Sequence, residues 1–419
     1  MSIESAARAP REVVVVGAGI VGLSTAWFLQ ERGIDVTVVE RDDVAAGSSW
    51  GNAGWVAPAY SIPLGEPGVL REGLRTVLSR KAPLYVPPRV DPQLWAFLLQ
   101  FARHCTMSAW RRGMRGYAPV DQQCLDAFDT LTANGVDVPT HEAPVTAVFR
   151  VNEEAIEQVE ELEHVNSAGV EVTYARLTGD EVRRQVPQAG DQVTAGIQMY
   201  GQRYVDPGAF VRALGDAVEA RGGTIRRGFD VAAVRDESDG LRIVSSSGGD
   251  VRADRVVLAT GTWLSELARD KGVRTRVQAG RGYSFTVPTD DPALSPIKLP
   301  AQRVVCTPYQ GQLRVAGSME FRRADEPLDQ ARIRAIIESA KPLLKGMHWN
   351  ERTDEWVGPR PVSTDGLPLI GASDQPGVYI AGGHGMWGYT LGPITGQLLA
   401  EEITTGKRPE ALRAFSPTR

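Results

Sequence analysis

The chain has 419 residues, is 42% hydrophobic and 23% charged, and carries a formal net charge of −5. That length favours two sequential or interleaved domains with ample core, and its mixed charges lack the basic surplus of a nucleic-acid footprint. Cys105, Cys124 and Cys306 are odd in number and form no CxxC pair, which argues against a disulfide framework or zinc and suits a reducing compartment.

Residues Met1–Arg11 carry charges and no apolar core, so 1–10 reads as a disordered tail and not a signal peptide. No apolar run approaches the ~20 residues that span a bilayer, which points to the cytoplasm. The first element is a dinucleotide-binding unit. A buried strand from Val13 runs into Gly17-Ala18-Gly19-Ile20-Val21-Gly22, a helix to Gln30, a stop at Gly33, and a second strand ending at Glu40. Gly17 permits the tight turn, Gly19 lets backbone approach a pyrophosphate, and Gly22 lets helix and strand pack closely. The helix N-terminus offers unpaired N–H groups to phosphate, and Glu40, followed by Arg41, stands where a carboxylate accepts from a ribose hydroxyl. This unit alone fits NAD or FAD; an ordinary strand–helix turn is the alternative.

The small-residue loop Ala45–Gly54 comes next, of a kind that lets a flat ligand lie against backbone, and then a proline-rich stretch from Pro58 to Pro92. Asp91-Pro92 reads as an N-cap and first helical position. Leu94, Leu98, Phe101 and Cys105, flanked by Trp95, Leu99 and Ala102, form a broad apolar helix face. With Trp110, Arg111, Arg112 and Arg115 beyond it, this segment either packs on its own domain or touches a membrane surface. Helices are expected at Asp121–Asn134 and Glu153–Ser167, then strands at Glu171–Tyr174 and Gly196–Tyr200. A helix follows from Asp206-Pro207 to Arg221–Gly223. Beyond it come two strand-like runs, strands at Arg255–Gly261, Val277–Val287 and Gln312–Gly317, and a helix at Gln330–Leu344.

The last fifth holds the second informative region. A strand at Val378–Ala381 leads into Gly382–Gly392, and a helix is expected from Pro393 to Thr405. Gly383–Gly388 matches GxGxxG, but no further strand or distal acid follows, so this is not a second ADP site. A helix N-terminus suits the negative charge of a reduced flavin near N1 and C2=O, on the order of 0.3–2 kcal/mol. An ADP half at one end of the chain and this turn at the other fit FAD better than NAD.

From Val13 to the C-terminus the chain resembles the FAD-dependent D-amino-acid oxidase superfamily, nearest to its D-amino-acid dehydrogenase branch, with glycine and sarcosine oxidases as relatives. The pieces that carry the resemblance are Gly17–Glu40, Gly51–Gly54 with Pro58–Tyr60, Gly282–Pro288, Leu313–Met319, and Arg360-Pro361, Asp365-Gly366 and Gly383-His384-Gly385. The resemblance implies an α/β plus α+β fold. A Rossmann-like FAD-binding domain (11–60, 196–275, 355–410) is interleaved with a substrate domain on a mixed sheet (61–195, 276–354).

By the same resemblance Arg360 grips the substrate carboxylate, a role that two parallel guanidinium hydrogen bonds suit; the alternative is a structural salt bridge. Asn52, Ala53 and Gly54 are expected along the flavin, Ser48 and Ser49 at the pyrophosphate, and Val231, Thr260 and Gly261 on the nucleotide side. Gly383, Gly385, Met386, Trp387 and Gly388 are expected beside the ring. His384 acts through its imidazole or its backbone, Tyr283 reaches the substrate or packs in the core, and Tyr60 is a pocket candidate. Met386 and Trp387 replace the smaller residues common here in the dehydrogenase branch, which alters the pocket. His104, His141, His164 and His348 show no ligand spacing, and no metal is expected. No cysteine lies in Gly358–Gly371, so FAD is expected to be non-covalent.

The expected reaction oxidises the carbon–nitrogen bond of a D-amino acid or related amino acid to the imino acid by hydride transfer to flavin N5. Alternatives are a secondary amino acid, a 2-hydroxy acid, or a flavin-binding subunit without its own chemistry. Oxygen, a quinone or a carrier takes the electrons, the last two with room for peripheral contact at the inner face of the membrane.

Overall fold

The valine run Val13–Val16 is buried on both sides, as a continuous apolar strand in a covered parallel sheet should be. The computed structural model describes residues 10–66, 68 and 79–419; the tail expected at 1–10 lies outside them except for Pro10. Strand Glu12–Val16 is central in a six-stranded sheet. Across that sheet the order is Thr224–Arg226, Asp35–Val39, Glu12–Val16, Arg255–Leu258, Val378–Gly382, Leu369–Ala372. All neighbours are parallel except the last pair. Helices Ile20–Glu31 and Gly388–Thr405 pack against each other so closely that Gly392 meets Ile20 and Gly396 meets the backbone of Ser24. A three-stranded antiparallel meander (Val231–Glu237, Gly240–Ser245, Asp250–Ala253) lies beside this unit.

A second, nine-stranded mixed sheet runs Thr353–Ser363, Val277–Val287, Gln312–Phe321, Val304–Tyr309, Ile297–Leu299, Val145–Phe149, Ala195–Met199, Tyr174–Thr178. Leu84–Tyr85 pairs with Gln312–Phe321 off that path. Its buried face holds Tyr283, Phe285 and Val287 against helix Gln330–Ala340. The mixed α/β architecture is that expected. Strands 195–199 and 353–363 are hydrogen-bonded into this larger sheet, not the six-stranded one.

Several element ends differ from expectation. Asp121 closes the helix Met107–Asp121, so the next helix is Cys124–Ala133. The strand expected at Glu171–Tyr174 lies instead at Tyr174–Thr178, because Val172 N–H is taken by the Asn166 side chain at 2.7 Å and not by a ladder. Helix Gln330–Ala340 stops short of Leu344. The C-terminal helix begins at Gly388, not Pro393, and takes the proline inside it. The close contact with Ile20–Glu31 holds that extra turn. Helix Pro92–His104 starts as its sequence requires, with Asp91 accepting from Gln93 and Leu94 N–H. It buries Leu94, Phe97 and Phe101 and leaves Trp95 and Leu99 in solvent, a narrower apolar face than expected.

Candidate active site

One cavity of about 1660 Å³ runs from the first strand–helix turn, between the two sheets, to the strands around Arg360. It exceeds the roughly 300–1,000 Å³ of an ordinary small-molecule pocket. At one end it is lined by Gly17, Gly19, Ile20, Val21, Glu40, Arg41, Ser48, Ser49, Val231, Thr260 and Gly261. Asn52, Ala53, Tyr60, Tyr283, Arg360, His384, Gly385, Met386, Trp387 and Gly388 also line it. Ala18, Gly22, Gly54 and Gly383 stand behind the wall.

Their roles there are physical. A Cβ on Gly22 would lie 2.0 Å from Gly17 O, so only glycine lets the helix come this near the strand. Ala18 donates its N–H to Glu40 Oε2 at 2.7 Å, and Asp42 N–H donates to Oε1 at 3.0 Å. The acid is thereby fixed with lone pairs left for a ribose. Gly54 N–H donates to Asn52 Oδ1 at 2.9 Å, which stiffens the loop.

The donor set fits an FAD. Helix Ile20–Glu31 has no side-chain cap on its first residues beyond Ser49 Oγ, which accepts from Ile20 N–H at 3.1 Å. Thr260 Oγ1 is buried without a partner on the cavity wall. The cation of Arg41 stacks 4.2 Å from the Trp263 ring, making a planar edge at the nucleotide end. Helix Gly388–Thr405 likewise lacks a side-chain cap, and Gly388, Tyr389 and Thr390 border the cavity. The helix start expected near Gly392 therefore moves to Gly388, which borders the cavity as Gly392 does not.

Arg360 lies on strand Thr353–Ser363, opposite Gly280. Its side chain crosses the central strand Val277–Val287, and Nη1 donates to Ser318 O at 2.8 Å. Among the described residues no carboxylate lies within ion-pair distance of it. Burial alone pulls its pKa down to about 10. A desolvated cation without a counter-ion makes a site for an anionic ligand. The strand around Arg360 is clasped twice: Ser48 Oγ donates to Pro359 O, and Gly385 N–H donates to Pro361 O at 2.9 Å. Loop and glycine turn thus meet at the arginine.

His384 is buried, its Nε2 lies 3.0 Å from Thr395 Oγ1, and desolvation lowers its pKa to about 4. It is neutral and tied into the C-terminal helix. Trp387 Nε1–H donates to Ile62 O at 2.7 Å, so this side chain braces the segment after the loop. Tyr283 borders the cavity, but its side chain is buried among Phe285, Val287 and Ile333. Ser284 Oγ donates to the carbonyl of Gly51, a cavity-lining residue, at 2.8 Å, and alternation turns the Tyr283 side chain to the opposite face. The Tyr283 hydroxyl donates to Glu320 Oε1 at 2.5 Å, and burial followed by that bond raises its pKa. Tyr60 is buried with its hydroxyl on Met199 Sδ at 2.9 Å and Lys298 Nζ 4.0 Å from its ring. Near it, burial and Glu161 push Glu66 up to about 7, giving this end of the cavity a polar wall.

Sequence reasoning missed Ser318, Lys298, Trp263 and Trp356, all on the cavity wall. Trp263 lies two residues after Gly261, and Trp356 precedes Arg360 by an even step on one strand, so both carried a local signal. Ser318 and Lys298 depend on strand register and carried none.

Comparison with known proteins agrees with this geometry. A family model described as FAD dependent oxidoreductase (DAO) matches residues 12–402. A D-amino acid dehydrogenase of Vibrio vulnificus (strain CMCP6) is 28% identical over 409 residues, covering 95% of this chain and 97% of that one. A D-amino acid dehydrogenase of Phenylobacterium zucineum (strain HLK1) is 30% identical over 409 residues, covering 96% and 95%. Among solved structures, glycine oxidase from Geobacillus kaustophilus superposes with a TM-score of 0.74 at 20% identity over 98% of both chains. At that identity the likeness speaks to fold.

Proposed function

The chain belongs to the DAO family of FAD-dependent oxidoreductases, and from that premise we propose that it oxidises the carbon–nitrogen bond of a D-amino acid to the imino acid. The observation that carries this reading is Arg360, a desolvated guanidinium without a carboxylate partner among the described residues, opening on the cavity that the dinucleotide fingerprint also lines. Arg360 binds the α-carboxylate and fixes the α-carbon, and orientation of this kind supplies much of the rate. FAD, when bound, supplies a two-electron acceptor for the substrate's hydride. Gly17, Gly19, Ser49, Glu40 and Thr260 would hold its nucleotide half, and the N–H groups from Gly388 onward would stabilise negative charge at the other end.

The neutral His384 acts through the turn it fixes, not as a cation or base. Attachment is non-covalent: Cys105, Cys124 and Cys306 are all buried and none borders the cavity. The electron acceptor is a quinone reached from a membrane surface. Support for that comes from the outward face of helix Pro92–His104, where Trp95, Leu99 and Arg103 form one exposed stripe near the cavity residues Val90–Gln93.

The decisive experiment is anaerobic mixing with D-amino acids, N-methyl amino acids, proline derivatives and 2-hydroxy acids, followed by admission of air. D-amino acids are expected to bleach the flavin, and slow recolouring in air is expected of a dehydrogenase. Arg360→Gln should stay yellow and lose the bleaching, by about 10²-fold or more in rate, since two charge-assisted bonds go. Unchanged reduction in that variant removes Arg360 from the site. Bleaching by hydroxy acids alone overturns the amino-acid reading.

A further inference from the structure

The guanidinium of Arg360 reaches across a neighbouring strand, and the sheet is built to let it. Strand Val277–Val287 pairs with Thr353–Ser363 on one side and with Gln312–Phe321 on the other. On the second side the register slips: Arg281 faces Glu320, but Tyr283 faces Gly317, so Ser318 and Met319 stand opposite Gly282 alone. This is a β-bulge, a device that re-aims backbone groups beside sites. Within it Ser318 has φ +61°, a left-handed conformation that costs a non-glycine residue energy. The bulge takes Ser318 O out of the ladder and turns it to Arg360 Nη1 at 2.8 Å. Gly282 supplies the gap beneath, since a Cβ there would lie 2.1 Å from Arg360 Nη2 and 2.2 Å from Cζ.

We propose that Ser318 and Gly282 are positioning residues for carboxylate recognition. The bulged carbonyl fixes one edge of the Arg360 guanidinium while the bare Gly282 backbone lets it lie flat across the sheet, so that its remaining N–H groups face the ligand as a preset fork. The proposal rests on the reading of Arg360 as the carboxylate anchor. A mobile arginine would have to lose its side-chain freedom on binding, whereas one already held by a backbone acceptor gives that up on folding. It also accounts for a left-handed serine at this place: strain there is tied to a contact aimed into the cavity.

Gly282→Ala is the cleanest test, because the atoms it would strike are the far end of a flexible side chain and not backbone. The variant should fold, keep its flavin and keep its melting temperature, yet bind benzoate at least tenfold more weakly by calorimetry and by perturbation of the flavin spectrum. Its KM for amino acids should rise by a similar factor. Ser318→Val, β-branched in a left-handed position, should weaken benzoate binding to a like degree, and Ser318→Gly should restore it. Benzoate affinity in Gly282→Ala equal to that of the unaltered protein would overturn the proposal, as would tight binding in Ser318→Val with a normal flavin content. If the unaltered protein neither binds benzoate nor is reduced by any amino acid, the carboxylate reading of Arg360 itself fails, an outcome separable from those two.

Discussion

Burial pulls the Arg360 guanidinium down to about 10 and the His384 imidazole down to about 4, and the consequences differ. Arg360 stays charged at neutral pH and is left wanting an anion. His384 is discharged, so it contributes shape and one hydrogen bond to Thr395. The second effect is visible in stability. Between pH 6.5 and 4 the unfolded chain binds a proton at His384 that the folded chain refuses, so stability falls as pH drops through that window. The shift corresponds to about 3 kcal/mol when fully expressed. His384→Asn should flatten this part of the acid limb by that order while leaving the neutral-pH rate of flavin reduction within a few-fold. Denaturant melts of both proteins at pH 7, 5 and 4 measure it. A variant with the same acid slope as the parent would show that the imidazole is not buried in its neutral form.

At the scale of elements, parity along a strand decides which side chains meet the ligand. Tyr283 follows Gly282 in a segment that the resemblance made prominent, but one step along a strand changes the face. Its hydroxyl is spent on Glu320, a carboxylate with no exposure that also faces Arg281, Arg322 and Arg332. Tyr283→Phe should therefore cost stability, about 1–3 kcal/mol for leaving a buried acceptor short of a donor, and leave the KM for amino acids unchanged. A raised KM with unaltered melting would put the tyrosine back among the ligand contacts.

The same distinction explains what could be read in the chain. Val13–Glu40, Arg360 and the Gly383–Gly388 turn were legible because each is a short segment whose chemistry is local: a turn, a stiff arginine between prolines, a glycine-rich strand end. The Ser318–Arg360 bond was not, since it needs the register of three strands distant in sequence. The helix start at Gly388 was also hidden. The usual preference for proline at a first helical position pointed to Pro393, and close packing against Ile20–Glu31 extended the helix backward over it.

Across the whole molecule, the cavity runs from the six-stranded sheet to the nine-stranded one and is lined by Val90–Gln93. Val90 is fully exposed, and Trp95 (45%) and Leu99 (66%) project from the helix that begins there. Arg103, Arg111, Arg112 and Arg115 are exposed on this helix and the next, although the chain as a whole carries −5. No helix among the described residues is long and apolar enough to cross a membrane. An apolar stripe with basic neighbours instead suits contact with an anionic lipid surface, which would set the cavity mouth against a hydrophobic electron acceptor. Each apolar side chain transferred from water contributes up to about 1.5–3 kcal/mol, and each nearby arginine about 1 kcal/mol at a charged surface. The purified flavoprotein should therefore sediment with phosphatidylserine-containing vesicles and much less with neutral phosphatidylcholine ones. Trp95→Ser combined with Leu99→Ser should lower that partition tenfold or more, and raising salt should weaken what remains. Reduction by amino acids in solution should be untouched, because neither side chain lines the cavity, while turnover with a long-chain quinone in vesicles should fall with the partition. Equal sedimentation of parent and double variant, or none for either, would confine the stripe to an ordinary surface and leave the electrons to a water-soluble acceptor.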